Sequence, residues 1–146
     1  MSGPRVLVLS SLFPHAGAPR AGLFVRERMF RVAQRLPLSV VSPQPWFPGQ
    51  GLLRRGRPHF RPPAAGCETQ QGISVRLPRF FSIPGLAKSW DGLFMALCCY
   101  PLLRRLRRQG QFNLIDAHFA YPDGYAATLL GRWLGVPVSV TLRGTE

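Results

Sequence analysis

Five residues have the type and position to do chemistry: Gly22, His118, Asp123, Arg143 and Gly144. His118 follows the strand-like run "LIDA" directly, which puts it at a strand's carboxyl edge, where open α/β sheets bind ligands. An imidazole placed there accepts or positions a hydroxyl proton near neutral pH. The competing reading is a packed bystander, and position alone leaves both open. Asp123 is a candidate for substrate contact, and its plainer reading is the N-cap of the helix that follows. Arg143 and Gly144 end the last strand-like run. Arginine offers a bidentate fork and glycine permits close backbone approach, which together suit an anionic group. Gly22, with Gly17, lies in the first strand-to-helix joint, whose helix N-terminal amides can face a phosphate.

These residues need elements to hold them. "RVLVLSS", Arg5–Ser11, is a short, uninterrupted apolar run, the pattern of a strand buried on both faces of a parallel sheet. After the turn-rich "LFPHAGAPRAG", apolar residues at Leu23, Val25, Met29, Phe30, Val32, Ala33 and Leu36 alternate with charged ones, an amphipathic helix that Pro37 ends. "LSVVSP", Leu38–Pro43, is the next buried strand. Strand, helix and strand with short joints predict a right-handed βαβ unit with a parallel pair. Later, "FNLIDAHF" is a strand and "DGYAATLLGRWLG" a helix stopped by Gly135. "VPVSVTL" closes the pattern as a strand. The fold class is therefore α/β: a Rossmann-like, mostly parallel sheet with flanking helices.

The middle departs from this rhythm. Residues 43–72 are rich in Pro, Gly and Arg and show neither helical nor strand periodicity, so they predict a long loop. It is either a surface excursion or an acceptor-binding loop, aromatic at Trp46, Phe47 and Phe60 and basic at Arg54, Arg55, Arg57 and Arg61. "ISVRLPRFF" from Ile73 reads as one strand. Ser89–Gln109 is the longest helical candidate, with Pro101 expected to kink or divide it. Its second half sets Leu102, Leu103 and Leu106 among Arg104, Arg105, Arg107 and Arg108. That pattern suits either an anionic lipid surface or a helix with leucines on the sheet and arginines in water.

Composition bounds the function. The 146 residues suffice for one domain with a true core, and 46% hydrophobic against 17% charged residues argues against wholesale disorder. Nineteen basic residues, all arginine but Lys88, against six acidic ones give a net charge of +13. Such a balance points to an anionic partner or to genome base bias, and charge alone does not choose. Cys67, Cys98 and Cys99 form neither a disulfide framework nor a metal-site spacing, so a reducing, cytoplasmic setting is expected. The N-terminal run does not suit a secretory signal and no apolar run spans a bilayer, so a soluble protein is expected, at most peripheral at the inner membrane face. The first joint lacks G-x-G-x-x-G, and no phosphate-loop, nucleophile-elbow or zinc motif occurs, which speaks against dinucleotide dehydrogenases and phosphate-loop enzymes.

Two stretches carry a resemblance: "VLVLSSLFPHAGAPRAGLFVRERMFRVAQR" with "LSVVSPQPWFP", and "IDAHFAYPDGYAATLLGRWLGVPVSVTLRGTE". Together they resemble the N-terminal, acceptor-side domain of family 4 glycosyltransferases of the GT-B fold. The resemblance runs through residues 1–146, is densest at both ends, and is sparse over 49–90. It implies two Rossmann-like domains facing a cleft, the first holding a glycan or lipid-linked acceptor and the second a nucleotide-sugar donor. Transfer would retain anomeric configuration, with no cofactor and no essential metal. His118 matches the histidine lining the cleft near the reacting sugar. Gly22 matches the first loop, whose backbone approaches the donor phosphates. Arg143 and Gly144 match the loop after the fifth strand, where relatives often carry Asp in place of Glu146. The resemblance further implies a truncated chain, a single incomplete GT-B half that is inactive without a donor domain. The alternative from another class is a non-catalytic basic module on an anionic membrane through Arg104, Arg105, Arg107 and Arg108. Nucleic acid is the weaker partner, because no recognised binding motif accompanies the charge.

Overall fold

The computed structural model describes residues 3–57, 66–83, 85 and 88–142. Its elements in chain order are β1 (Val6–Leu9), α1 (Leu23–Val32), β2 (Leu38–Val41), β3 (Gln44–Trp46), α2 (Gln50–Gly56), β4 (Cys67–Gln70), β5 (Ile73–Arg76), β6 (Arg79–Phe81), α3 (Asp91–Arg108), β7 (Leu114–His118), α4 (Tyr125–Leu134) and β8 (Val138–Thr141). The main sheet has the order β4-β5-β2-β1-β7-β8, parallel throughout except for β4, which runs antiparallel to β5.

This order follows from β1 being apolar on both faces. Val6 and Val8 meet α1 through Val25, Met29 and Phe30, with Val40 and Val75 beside them. Leu7 and Leu9 meet α3 and α4 through Met95, Leu103, Ala126 and Leu130. Each such side chain, taken from water, contributes about 1.5–3 kcal/mol, so a strand with helices on both sides belongs at the sheet's centre. From β1 the chain builds outward through β2 and β5, then returns to the other flank with β7 and β8. The direction of winding reverses between β1 and β7, and a crevice outside the carboxyl ends of strands at such a reversal is where this architecture binds ligands.

Three sequence expectations change. The run from Ile73 is two strands rather than one. Pro78 has no N–H for a ladder, Leu77 N–H turns to donate to Gly66 O at 2.9 Å, and β6 leaves the main sheet to pair in parallel with β3. The region 43–72 is not structureless: β3, α2 and β4 lie within it, while its residues 58–65, including Phe60 and Arg61, lie outside the described residues. The hairpin β4–β5 turns through Gln71 (φ 50°) and Gly72 (φ 79°), both left-handed as a tight hairpin turn requires. Pro101 does not divide α3, which is continuous for 18 residues. Proline removes the bond to the carbonyl four residues back, and both Leu97 and Pro101 lie on the helix's solvent face, where water can replace it.

Candidate functional site

Alternation along β7 sorts its side chains. Ile115 and Ala117 enter the core under α3 and α4, while Asp116 and His118, two residues apart, share the opposite face. The His118 side chain is 0% exposed, and its Nε2 lies 3.3 Å from Asp116 Oδ2, whose side chain keeps 16% exposure. A protonated imidazole there is an ion pair with a carboxylate that still reaches solvent. The chain then makes an abrupt exit. Phe119 takes φ 81°, ψ 145°, close to a region essentially reserved for glycine, and such residues persist only where their surroundings enforce them. Here the enforcement is visible: Phe119 N–H donates to Thr141 O at 2.9 Å, its carbonyl accepts from Gly124 N–H at 3.0 Å, and its ring meets Phe24 edge-on at 6.1 Å.

The turn Ala120–Gly124 delivers Asp123 to the first loop. Its Oδ2 accepts the Ser11 N–H at 2.9 Å, joining the ends of β1 and β7 across the winding reversal. The helix-cap reading of Asp123 fails for this reason: the N-cap of α4 is Gly124, and no side chain caps it. Burial pushes the Asp123 carboxyl up to about 6, against the pull of the Ser11 hydrogen bonds and of His118. Its Oδ1 is buried with no hydrogen-bond partner among the described residues.

Gly22 precedes α1 with φ 66°, and a Cβ there would strike the Leu12 carbonyl. The close approach that glycine permits is thus to the chain's own first loop. That loop is also held from outside, since Ala16 N–H donates to Glu68 Oε1 at 2.7 Å and Gln70 Nε2 donates to Pro14 O at 2.8 Å. Asp116, Ser11, Glu68 and Gln70 were not singled out from sequence. The Asp116–His118 spacing was readable as two residues on one strand face, whereas the hairpin contacts span more than 50 positions and leave no local signal. Tyr121 is a further holder: its hydroxyl accepts Gly92 N–H at 3.0 Å and donates to Lys88 O at 2.7 Å, pinning the turn to the start of α3. Arg143, Gly144 and Glu146 lie outside the described residues.

Beside this turn runs an open, mostly apolar groove of about 590 Å³ between α4 and β8, reaching Tyr121, Thr128, Arg132, Val140 and Leu142. Among the described residues no cluster of His, Cys, Asp and Glu could hold a metal ion. Nor is any helix among them long and apolar enough to cross a membrane.

No family model matches the chain. A protein of Bacillus subtilis (strain 168), provisionally named teichuronic acid biosynthesis glycosyltransferase TuaC, is 26% identical over 144 residues. The chain is similar to a glycosyltransferase. The match takes in 97% of this chain and 36% of the relative, so the chain spans about a third of that protein's length. The described framework from β1 to β8, with both loops at the winding reversal, falls within so broad a match.

Proposed function

We propose that the chain is the acceptor-side half of a retaining glycosyltransferase of the GT-B type, completed by a donor-binding half in further sequence or in a separate chain. The observation that carries this reading is the junction of the β1 and β7 loops at the winding reversal, closed by Ser11 N–H and Asp123, in a chain similar along 97% of its length to a glycosyltransferase. In this reading the donor is a nucleotide sugar and the acceptor a glycan or lipid-linked glycan. The relative's naming for teichuronic acid biosynthesis favours a polysaccharide or glycolipid product. The first loop at Gly22 and the Arg143–Gly144 segment would face donor phosphates with amides and a guanidinium. Such fixed dipoles and cations stabilise developing negative charge without a metal. His118 would orient the acceptor hydroxyl. Because its side chain is enclosed, acceptor contact requires the first loop or the Phe119 turn to move aside, and until then His118 and Asp116 hold the turn in register.

The test is a chimera: residues 1–146 fused to the remaining two-thirds of the Bacillus relative, assayed for nucleoside diphosphate release from a panel of nucleotide sugars. The isolated chain should release none, the chimera should release it in the presence of acceptor extract, and His118→Ala in the chimera should lower the rate by about 100-fold. A folded chimera that turns over no nucleotide sugar would count against the proposal.

A further inference from the structure

The first loop is folded on itself. His15 N–H donates to Ala18 O at 3.3 Å, Ala18 N–H returns a bond to His15 O at 2.9 Å, and Gly17 N–H donates to His15 Nδ1 at 3.1 Å. Residues 15–18 are thus a tight knuckle between Pro14 and Pro19. Ala18 O also accepts the Ala21 N–H at 3.2 Å, which ties the knuckle to Gly22 and the start of α1. Two further backbone groups, the Pro14 carbonyl and the Ala16 N–H, stand on either side of His15 and are taken by the hairpin β4–β5.

Alternation along β4 makes this possible. Glu68 and Gln70 are half-buried while Cys67 and Thr69 are exposed, so Glu68 and Gln70 share the face turned to the loop. Gln70 Nε2 has two hydrogens, one given to Pro14 O at 2.8 Å and one to Glu68 Oε2 at 3.1 Å, and the other Glu68 oxygen accepts the Ala16 N–H at 2.7 Å. The arrangement has a direction: position 68 must accept at both oxygens, and position 70 must donate twice. Gln70 Oε1 takes a long 3.5 Å contact from Arg26 Nη1, and the Arg26 N–H donates to Gly22 O at 3.3 Å, so α1 closes the circuit back to the loop. In a chain with 19 basic residues, the ion pairs of the described residues do not include Glu68. Its charge strengthens a bond to a loop amide instead.

We propose that Glu68 and Gln70 are positioning residues: a clasp that fixes the knuckle 15–18, and through Ala21 and Gly22 the entry to α1, in the shape that receives the diphosphate of a sugar donor. This role rests on the reading above of the first loop as donor-facing, and adds to it two residues that touch no substrate. β4 stands at the sheet's edge and contributes no residue to either core, which leaves its side chains to serve the loop. A loop already held in its bound shape takes up a ligand without the cost of being ordered.

Nuclear magnetic resonance of the 146-residue chain tests the clasp, with inorganic pyrophosphate as the probe. In the parent chain the Ala16 amide should be protected from exchange, and pyrophosphate should shift the Gly22 and Leu23 amides saturably. Glu68→Ala and Gln70→Ala should each expose the Ala16 amide and weaken pyrophosphate binding about ten-fold. Their thermal midpoints should change little, because neither side chain packs in a core. Thr69→Ala, on the exposed face of the same strand, should match the parent in both readouts. In the chimera, Glu68→Ala and Gln70→Ala should raise KM for the nucleotide sugar about ten-fold with kcat nearly unchanged. An Ala16 amide still protected in both variants, pyrophosphate binding equal to the parent's, equal loss in Thr69→Ala, or no saturable shift in the parent would each overturn the proposal. A parent chimera without turnover counts against sugar transfer, whereas the clasp stands or falls on the exchange and pyrophosphate results.

Discussion

Burial raises the Asp123 carboxyl from 3.8 to about 6 even though Ser11 donates to it and His118 lies near. Between those values the native chain holds a proton that the unfolded chain has released. The group's contribution to stability is therefore complete below pH 3.8 and is lost as pH rises through about 6. Its size is about 3 kcal/mol as an order of magnitude. Asp123→Asn keeps an acceptor for Ser11 N–H and removes the titration, so denaturation midpoints of the two proteins should diverge between pH 4 and 7. Parallel curves would refute the assignment. The buried Cys99 thiol is also pushed far above its usual range, by burial first and then by Cys98 and Asp123. A thiol reagent should label Cys67 and Cys98 in the native chain and Cys99 only after denaturation. The position of His118 at the end of β7 was legible because a histidine after a strand-like run is chemically conspicuous. The partner of Asp123 was not legible, because Ser11 lies 112 positions away and donates with its backbone.

At the scale of elements, Gly22 sets the angle at which α1 leaves the first loop. An alanine there costs about 1–2 kcal/mol for the left-handed backbone and displaces Leu12 besides. Gly22→Ala should lower the thermal midpoint clearly, and an unchanged midpoint would mean the loop is slacker than its hydrogen bonds suggest. Elements with strong internal periodicity were legible: β1, α1, β2, β7, α4 and β8 all stand where the apolar pattern puts them, except that α1 stops at Val32, before Leu36 and Pro37, and Gly135 ends α4 in the left-handed conformation. The central region was legible only in part. β4 is exposed or half-buried along its length and turns through Gln-Gly, so it shows neither a buried run nor the strongest turn signal. β3 and β6 are three residues each, too short for any period, and form only by pairing with each other. α3 was legible as a helix, but Pro101 does not divide it, and of the two open readings of its leucines the packed one holds, because which face meets the sheet is settled by tertiary packing.

For the molecule as a whole, the α/β class and the parallel sheet were legible because strand and helix patterns alternate and crossovers share one hand. The order of strands was not carried by any local pattern. It emerges because β1 is buried along its whole length, with α1 on one face and α3 and α4 on the other, and so stands between β2 on one flank and β7 on the other. The same arrangement leaves β8 at an edge, with Val140 and Leu142 exposed beside an apolar groove.

The Tyr121 hydroxyl, with one bond from Gly92 N–H and one to Lys88 O, makes the base of α3 and the turn carrying Asp123 a single lever. A force applied at one end is felt at the other, so the two segments should open together rather than separately. In native-state hydrogen exchange, the amides of Gly92 and Gly124 should then share one opening free energy, and Tyr121→Phe should split it into two. If the two amides already exchange independently in the parent chain, the lever does not exist. If they move as one, whatever displaces the start of α3 also sets how readily the Asp123 turn lets go of the first loop.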